Sequence, residues 1–131
     1  MDETFAEARD QLTAFRHAEG VAYAVALVKA GLALLDRGVT YFGSDDVPED
    51  VSPGGGIPGS AVESLRNAHV IADFWQTIPE QRIYGGRRKS KRASANGRKI
   101  ALYGLASRTI AETYLARNGV KLPRSQMELA M

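Results

Sequence analysis

The sequence predicts a single α+β domain that is mostly helical. Two stretches, residues 2–18 and 21–37, carry apolar side chains at helical spacing. Apolar residues alternate along Lys99–Leu105, and Asn96-Gly97 just before them is a strong hairpin signal because both residues accept positive φ. A length of 131 residues suits one domain with one hydrophobic core.

Composition restricts the classes of function. With 44% apolar and 24% charged residues, the chain has the make-up of a soluble globular protein. It contains no cysteine, which excludes disulfides, thiolate metal ligands and thiol catalysis. The two histidines, His17 and His69, have no carboxylates beside them at metal-ligand spacing, so we expect neither a metal nor another cofactor.

The longest apolar run is too short for a membrane span. Val21–Leu35 has 15 residues and is interrupted by Lys29 and Gly31, whereas a bilayer needs roughly 20 apolar residues. We therefore expect a buried core helix and no membrane association. The first ten residues are acidic and hold no apolar segment, so no signal peptide is expected and the predicted location is the cytoplasm.

The N-terminal third is predicted to form two helices. The first, residues 2–18, is amphipathic, and Gly20 separates it from a more apolar second helix, Val21–Arg37. Gly38 stands where a helix C-terminal cap belongs. The apolar stripe of the first helix consists of Phe5, Ala8, Leu12 and Phe15, and the predicted centre of the core is Tyr23, Leu27, Leu34 and Leu35.

Short segments lead from there to a third helix. Val39–Phe42 is β-branched and aromatic and is predicted to be a strand. Prolines limit residues 44–51 to a short helical segment, and the glycine- and proline-rich residues 52–59 form a turn.

A capping box of Ser60 and Glu63 is predicted to open the third helix, from about 60 to 68. Helical spacing divides it into two sides. The inward side consists of Ala61, Val62, Leu65 and Ala68, and the outward side of Ser64, Arg66 and Asn67.

The C-terminal half is predicted to hold a hairpin and a helix. The strands are Arg82–Tyr84 and Lys99–Leu105, joined by a long, flexible basic loop. The last helix covers about 107–119, starts near Ser107 or at a second capping box of Thr109 and Glu112, and is followed by a loosely held tail, 120–131. Its predicted buried residues are Ile110, Tyr114 and Leu115.

Charge is divided unevenly along the chain. Residues 1–80 carry 13 acidic and 5 basic side chains, whereas residues 81–131 carry 12 basic and 2 acidic ones. Five cations lie within Arg87–Arg92, and no carboxylate stands between Glu80 and Glu112. Such a run repels itself, and a polyanionic partner would relieve the repulsion. The distribution therefore favours nucleic acid as the partner.

Residues 21–105 resemble the winged form of the helix-turn-helix domain. Residues 65–71, Leu-Arg-Asn-Ala-His-Val-Ile, are similar to the end of a winged-helix recognition helix, although His69 stands where glycine is usual. A hairpin with a basic tip, about 85–99, follows in the position of the wing. The resemblance implies a recognition helix at about 60–68 and extra helices at both ends of the chain.

We expect the partner to be double-stranded DNA, bound without enzymatic activity and without a small-molecule ligand. Arginine suits guanine and asparagine suits adenine in the major groove, while wing cations and hydroxyls suit phosphates. A transcriptional regulator or a phage or plasmid DNA-transaction factor, acting as a homodimer, fits these features. The predicted contact residues are Ser60, Ser64, Arg66, Asn67, Arg87, Arg88, Lys89, Ser90, Lys91, Arg92, Arg98 and Lys99.

Two other functions use the same basic hairpin. One is RNA binding, which would not depend on Arg66 and Asn67. The other is a protein-interaction module whose basic loop occupies an acidic groove on its target. Residues 54–60 match part of a phosphate-binding loop but lack its lysine. Trp75 is expected to anchor the core or an interface rather than to stack on a base.

Overall fold

A computed structural model describes residues 2–51, 56–92 and 97–122, with side chains from residue 17 onward. Several predictions fall outside this description. They concern the apolar stripe of the first predicted helix, whose side chains all lie before residue 17, residues 52–55 of the predicted turn, the hairpin tip 93–96 and the tail from residue 123. The described residues form three α-helices and a small antiparallel sheet, and about half of the chain is helical. The predicted α+β class is confirmed.

The first helix, α1, is one continuous element of 35 residues, Asp2–Asp36. The predicted break at Gly20 is wrong, because a glycine inside a helix costs only about 1 kcal/mol and packing further along the helix outweighs that cost. Gly38 ends the helix as predicted, with a φ of 81° and its amide donating to the Leu35 carbonyl. Gly31 allows Phe42 to pack on the helix, since a Cβ there would lie 2.8 Å from the ring.

Gly20→Ala is expected to raise the free energy of unfolding by about 1 kcal/mol. The added methyl group would lie 3.8 Å from the Ile57 side chain, an ordinary contact, so no clash offsets the gain in helix propensity. Urea unfolding followed by far-UV circular dichroism measures the change. A loss of stability would contradict a continuous helix at this position.

The sheet has four strands, and one of them, Lys99–Leu105, is central. They are β1 (Phe42–Gly43), β2 (Ile71–Asp73), β3 (Arg87–Lys89) and β4 (Lys99–Leu105). All three shorter strands pair antiparallel with β4. The Leu102 carbonyl accepts from the Phe74 amide, and its amide donates to the Gly86 carbonyl. Strands β2 and β3 therefore follow one another along the same edge of β4.

Residues 75–85 leave the sheet between β2 and β3, and we call them the excursion. The predicted strands here are partly wrong: Arg82–Tyr84 forms only isolated pairs, Ile78 with Ile83 and Tyr84 with Arg87. The regular strand β3 instead lies inside the segment that was expected to be a flexible basic loop. The predicted strand Val39–Phe42 is likewise shorter than expected, since only its last residue belongs to β1.

The second helix, α2, runs from Ile57 to Asn67 and begins before the predicted capping box. Gly56 is its N-cap residue, and Pro58 in the first turn fits because no intrahelical donor is needed there. The capping role assigned to Ser60 is therefore wrong. His69 leaves the helix with a φ of 58°, the left-handed conformation that glycine usually supplies.

The third helix, α3, covers Arg108–Arg117 and is capped by Ser107, whose hydroxyl accepts from the Ile110 amide at 3.1 Å. The alternative box at Thr109 is not used. Leu115 is buried as predicted, but Ile110 is exposed, which corrects its assignment to the core. Gly119 follows the helix with a φ of 80°, as expected of a stop residue.

The helices cover one face of the sheet and enclose the core. Tyr23 and Leu27 are fully buried as predicted, while Leu34 is half-buried against the same cluster. In α2, Ala61, Val62 and Leu65 are buried, but Ala68 is exposed, contrary to prediction. Beyond this cluster, Ile83 and Leu102 are buried separately, and the Phe74 ring lies 5.1 Å from that of Tyr41.

One segment of α1, His17–Asp36, is long and apolar enough to cross a membrane by length and composition, with a mean hydropathy of 1.6. One third of this segment is buried within the structure. A core helix passes the same test, and Tyr23, Leu27 and Val28 of this segment pack in the core.

Candidate nucleic-acid interface

The β3–β4 hairpin separates its basic side chains onto two faces. Side chains alternate along each strand, and directly paired residues share a face. Arg87 pairs with Ala101 and Lys89 with Lys99, and all four are exposed. Arg88 pairs with Ile100 on the other face, and both are half-buried. We call Arg87, Lys89 and Lys99 the cationic face.

Lys89 and Lys99 lie opposite each other at the closest spacing that an antiparallel pair allows. The neighbouring positions carry the ladder hydrogen bonds, from the Leu102 amide to Gly86 and from the Ser90 amide to Arg98. Residues 89 and 99 therefore form a non-hydrogen-bonded pair, in which Cα atoms are only about 4.5 Å apart. Like charges at this spacing destabilise a sheet. Within the described residues, neither lysine nor Arg87 forms an ion pair.

The opposite face of the hairpin is held by the acidic segment that follows β1. The Arg88 guanidinium donates to Asp45 at 2.8 Å and to Asp46 at 3.0 Å. The Lys91 ammonium lies 3.3 Å from Asp46, and the Arg92 guanidinium donates to the Val47 carbonyl and lies 3.9 Å from Glu49. The expectation that the basic run has no counterions is therefore wrong for Arg88, Lys91 and Arg92.

These ion pairs shift the pKa values of Asp45 and Arg88 at this opposite face of the hairpin, which we call the inner face. Burial by itself raises the pKa of Asp45, but the Lys91 amide and the Arg88 guanidinium outweigh burial and hold that pKa below its usual range. Burial by itself lowers the pKa of Arg88, but its hydrogen bonds and charge interactions with Asp45 and Asp46 outweigh burial and raise that pKa. Asp46 in turn accepts from the Gly43 amide at 2.8 Å, which ties the acidic segment to β1.

The C-terminal end of α2 lies on the same side of the sheet as the cationic face. The Arg66 guanidinium sits 5.7 Å above the ring of Tyr103 and pairs with Asp73 at 2.8 Å and with Glu63 at 3.5 Å. The hydrogen bond to Asp73 raises the pKa of Arg66. Arg66 was predicted to contact a base, but its guanidinium already pairs with two carboxylates of the protein itself.

Residues 103, 101 and 99 of β4 project from the same face at steps of about 7 Å. Tyr103 carries Arg66 above it, Ala101 pairs with Arg87, and Lys99 pairs with Lys89. The surface from the end of α2 to the end of the hairpin is therefore continuous and about 14 Å long. Along α2, the predicted contact residues Ser60, Ser64 and Asn67 are all exposed.

A cleft of about 930 Å³ runs beside the hairpin. Tyr41, Tyr84 and Ile83 contribute to its lining, and Asp46 is a carboxylate in it. One sign of charge predominates, which concentrates anions at such a surface. The cations that line the cleft are Arg82, Arg87, Arg88, Lys89, Lys91 and Lys99.

The remaining predicted wing residues, Ser90 and Arg98, lie just after β3 and just before β4. Arg98 is exposed, and its carbonyl accepts from the Ser90 amide at 2.8 Å. The Ser90 hydroxyl accepts from the Arg92 amide at 3.2 Å, so its own hydrogen can still be donated elsewhere. No group of three or more His, Asp or Glu side chains in the described part of the chain is arranged to hold a metal ion.

Two aromatic residues near this region are exposed on the surface. Trp75 is 74% exposed, so of its two predicted roles, core or interface anchor, the core role is wrong, and Tyr84 is also exposed. The four carboxylates within Asp45–Asp50 could have predicted the ion pairs of the inner face, since this acidic run matches the basic run in length.

Compared with known proteins, the chain matches no family model, no curated protein and no solved structure.

Proposed function

We propose that this protein binds double-stranded DNA, with the cationic face on the phosphate backbone and α2 beside it. The observation that carries this proposal is the opposed pair Lys89 and Lys99, flanked by Arg87, on a face without carboxylate partners in the described residues. A fold keeps such a pair at a cost in stability. Phosphates bound between the cations would remove that cost.

The winged form of the helix-turn-helix domain is the architecture that we propose for this interaction. In its favour, the chain runs through α1, β1, α2, β2 and the β3–β4 hairpin in that order, and β1, β4 and β2 form a three-stranded sheet. Between β1 and α2 stand two 3₁₀ turns, Ser44–Asp46 and Glu49–Val51, in place of a full helix. Base contacts then fall to α2 and phosphate contacts to the hairpin.

The ion pairs divide the roles of the predicted contact residues. Arg66 orients the end of α2 through Asp73 and Tyr103, so direct contacts to base edges are left to Ser64 and Asn67. Arg88 holds the hairpin to the acidic segment, and Arg87, Lys89, Arg98 and Lys99 remain for phosphates. We infer that the protein acts as a transcriptional regulator or as a DNA-transaction factor.

Fluorescence anisotropy with labelled duplex DNA and a matched RNA duplex tests the function directly. Three or four phosphate contacts give a slope of about −3 to −4 for log K against log salt. We expect this slope with DNA and weaker binding to RNA, whose deep major groove does not admit α2. Equal or tighter binding to RNA would replace DNA as the partner. If the protein binds neither duplex at low salt, nucleic acid is excluded as its partner.

Lys89→Gln combined with Lys99→Gln is expected to make the DNA salt slope shallower by about 2, since each phosphate contact contributes about 0.9. The same double variant should unfold at slightly higher urea, because it removes a like-charge pair whose cost is a few tenths of a kcal/mol to about 1 kcal/mol.

The matched control removes two exposed cations from the other end of the fold, Arg117→Gln with Lys121→Gln. It changes the net charge equally but should leave the slope almost unchanged. A slope that shifts equally in both double variants would show a general charge effect rather than a cationic interface.

A further inference from the structure

Trp75 is the largest apolar side chain left on the surface of the described residues, with 74% of it exposed. Tryptophan is usually buried over most of its area. Its neighbour Phe74 packs against Tyr41 with ring centroids 5.1 Å apart. The chain therefore turns Phe74 into the fold and leaves Trp75 outside.

The backbone on both sides of Trp75 is fixed. Before it, the Phe74 amide donates to the Leu102 carbonyl at 3.0 Å. After it, the Gln76 carbonyl accepts from the Gly86 amide at 3.0 Å, and the Thr77 hydroxyl accepts from the Gly85 amide at 2.8 Å. Because the side chain projects from an anchored backbone, little conformational entropy is lost when it binds a partner.

Trp75 lies at the start of the cationic face. A Cβ built on Gly86 would be 3.1 Å from the Trp75 Cα, and the next residue along the chain is Arg87. An exposed aromatic ring beside phosphate-binding cations is the arrangement by which proteins hold single-stranded nucleic acid, with bases stacked on rings and phosphates on cations.

We propose that Trp75 stacks on an unpaired nucleobase next to the duplex held by the cationic face. Inside a continuous duplex both faces of every base are covered by neighbouring bases, and a ring inserted there must first unstack a base step, which costs free energy. The ring therefore stacks most readily at a fork, a gap, an end or an extruded base. The preferred substrate class is thus duplex DNA with an adjoining unpaired base, and this assignment rests on the proposed function.

The chain contains one tryptophan, so its fluorescence reports on Trp75 alone. Unlabelled DNA is titrated into the protein as a blunt duplex, as the same duplex with a single-stranded extension, and as a single strand, while anisotropy of labelled DNA gives each affinity. We expect the fluorescence to be quenched on saturation with the extended duplex. We also expect that duplex to bind about 5-fold to 100-fold more tightly than the blunt one, the range found for one stacked base.

Three variants separate stacking from a general loss of binding. Trp75→Leu should reduce the preference for the extended duplex to about onefold, Trp75→Phe should keep most of it, and the control Ile110→Ala on α3 should leave it unchanged. If both duplexes bind equally well to the natural protein, or the fluorescence is unchanged at saturation, stacking is wrong while DNA binding stands. If no DNA changes the anisotropy at low salt, both proposals fall.

Quenching that appears instead as the protein concentration rises without DNA would identify Trp75 as a contact between protein copies, and this result would also overturn the proposal.

Discussion

Gly86→Ala is expected to lower the free energy of unfolding by at least about 3 kcal/mol, among the larger effects of a single substitution. A Cβ at this position would lie 1.6 Å from the Phe74 carbonyl oxygen and 2.7 Å from its carbon. Both are backbone atoms, so no side-chain rotation relieves the overlap. The φ of 73° adds the cost that a non-glycine residue meets in the left-handed region.

Gly85→Ala is the matched control for this substitution. Gly85 has a φ of 58°, so alanine meets a similar backbone cost there, about 1–2 kcal/mol. Apart from its two neighbours in the chain, no atom of the described residues lies within 4 Å of the position its Cβ would take. The difference between the two variants in urea unfolding therefore isolates the close approach of Gly86, just after the excursion, to Phe74, just after β2. Equal losses would mean that the two chain segments are not packed as closely as described.

The strands of the sheet were only partly predictable from the sequence. Lys99–Leu105 was predicted with its correct bounds, because local alternation and the Asn-Gly signal both point to it. Its partner Arg87–Lys89 has no apolar residue, so no local pattern marks it as a strand. It is a strand because Arg88 pairs with carboxylates more than 40 residues earlier in the chain.

For the candidate interface, the sequence predicted which helix residues are exposed but not which partners the charged side chains have. Ser64 and Asn67 were expected to be exposed and are exposed, because helical spacing alone decides their side. Arg66 shares that spacing, but Asp73 of β2 pairs with it after the chain turns at His69, and helical spacing does not predict a partner on another element. The basic run was treated as one patch, whereas strand alternation splits it into the cationic face and a paired inner face.

Asp45→Asn should be nearly as disruptive, because it removes one of the two carboxylates that hold the hairpin. The Asp45 side chain is 1% exposed and that of Arg88 is 11% exposed. Asp45 accepts from Arg88 with one oxygen and from the Lys91 amide with the other, at 2.8 and 2.9 Å. An asparagine has only one acceptor oxygen. Breaking a buried ion pair costs about 3–5 kcal/mol, and the remaining Asp46 keeps this loss near about 3 kcal/mol.

The loss should depend on pH in a definite direction. The pKa of Asp45 in the folded protein is below its ordinary value of 3.8, so the contribution of this carboxylate is fully present above that value. It is lost as the pH falls through the lower, folded pKa. Urea unfolding should therefore show a wide gap between natural protein and Asp45→Asn at pH 7, and a gap that narrows below about pH 4.

Asp50→Asn is the control, since it removes one charge from the same acidic segment at an exposed position with no ion pair among the described residues. It should change stability by less than about 0.5 kcal/mol at every pH, as surface substitutions usually do. A gap for Asp45→Asn that stays constant into acid would show that shape, not charge, holds Arg88. In that case the acidic segment would not neutralise Arg88, Lys91 and Arg92 through charge, and these three cations would be available to a polyanion together with the cationic face.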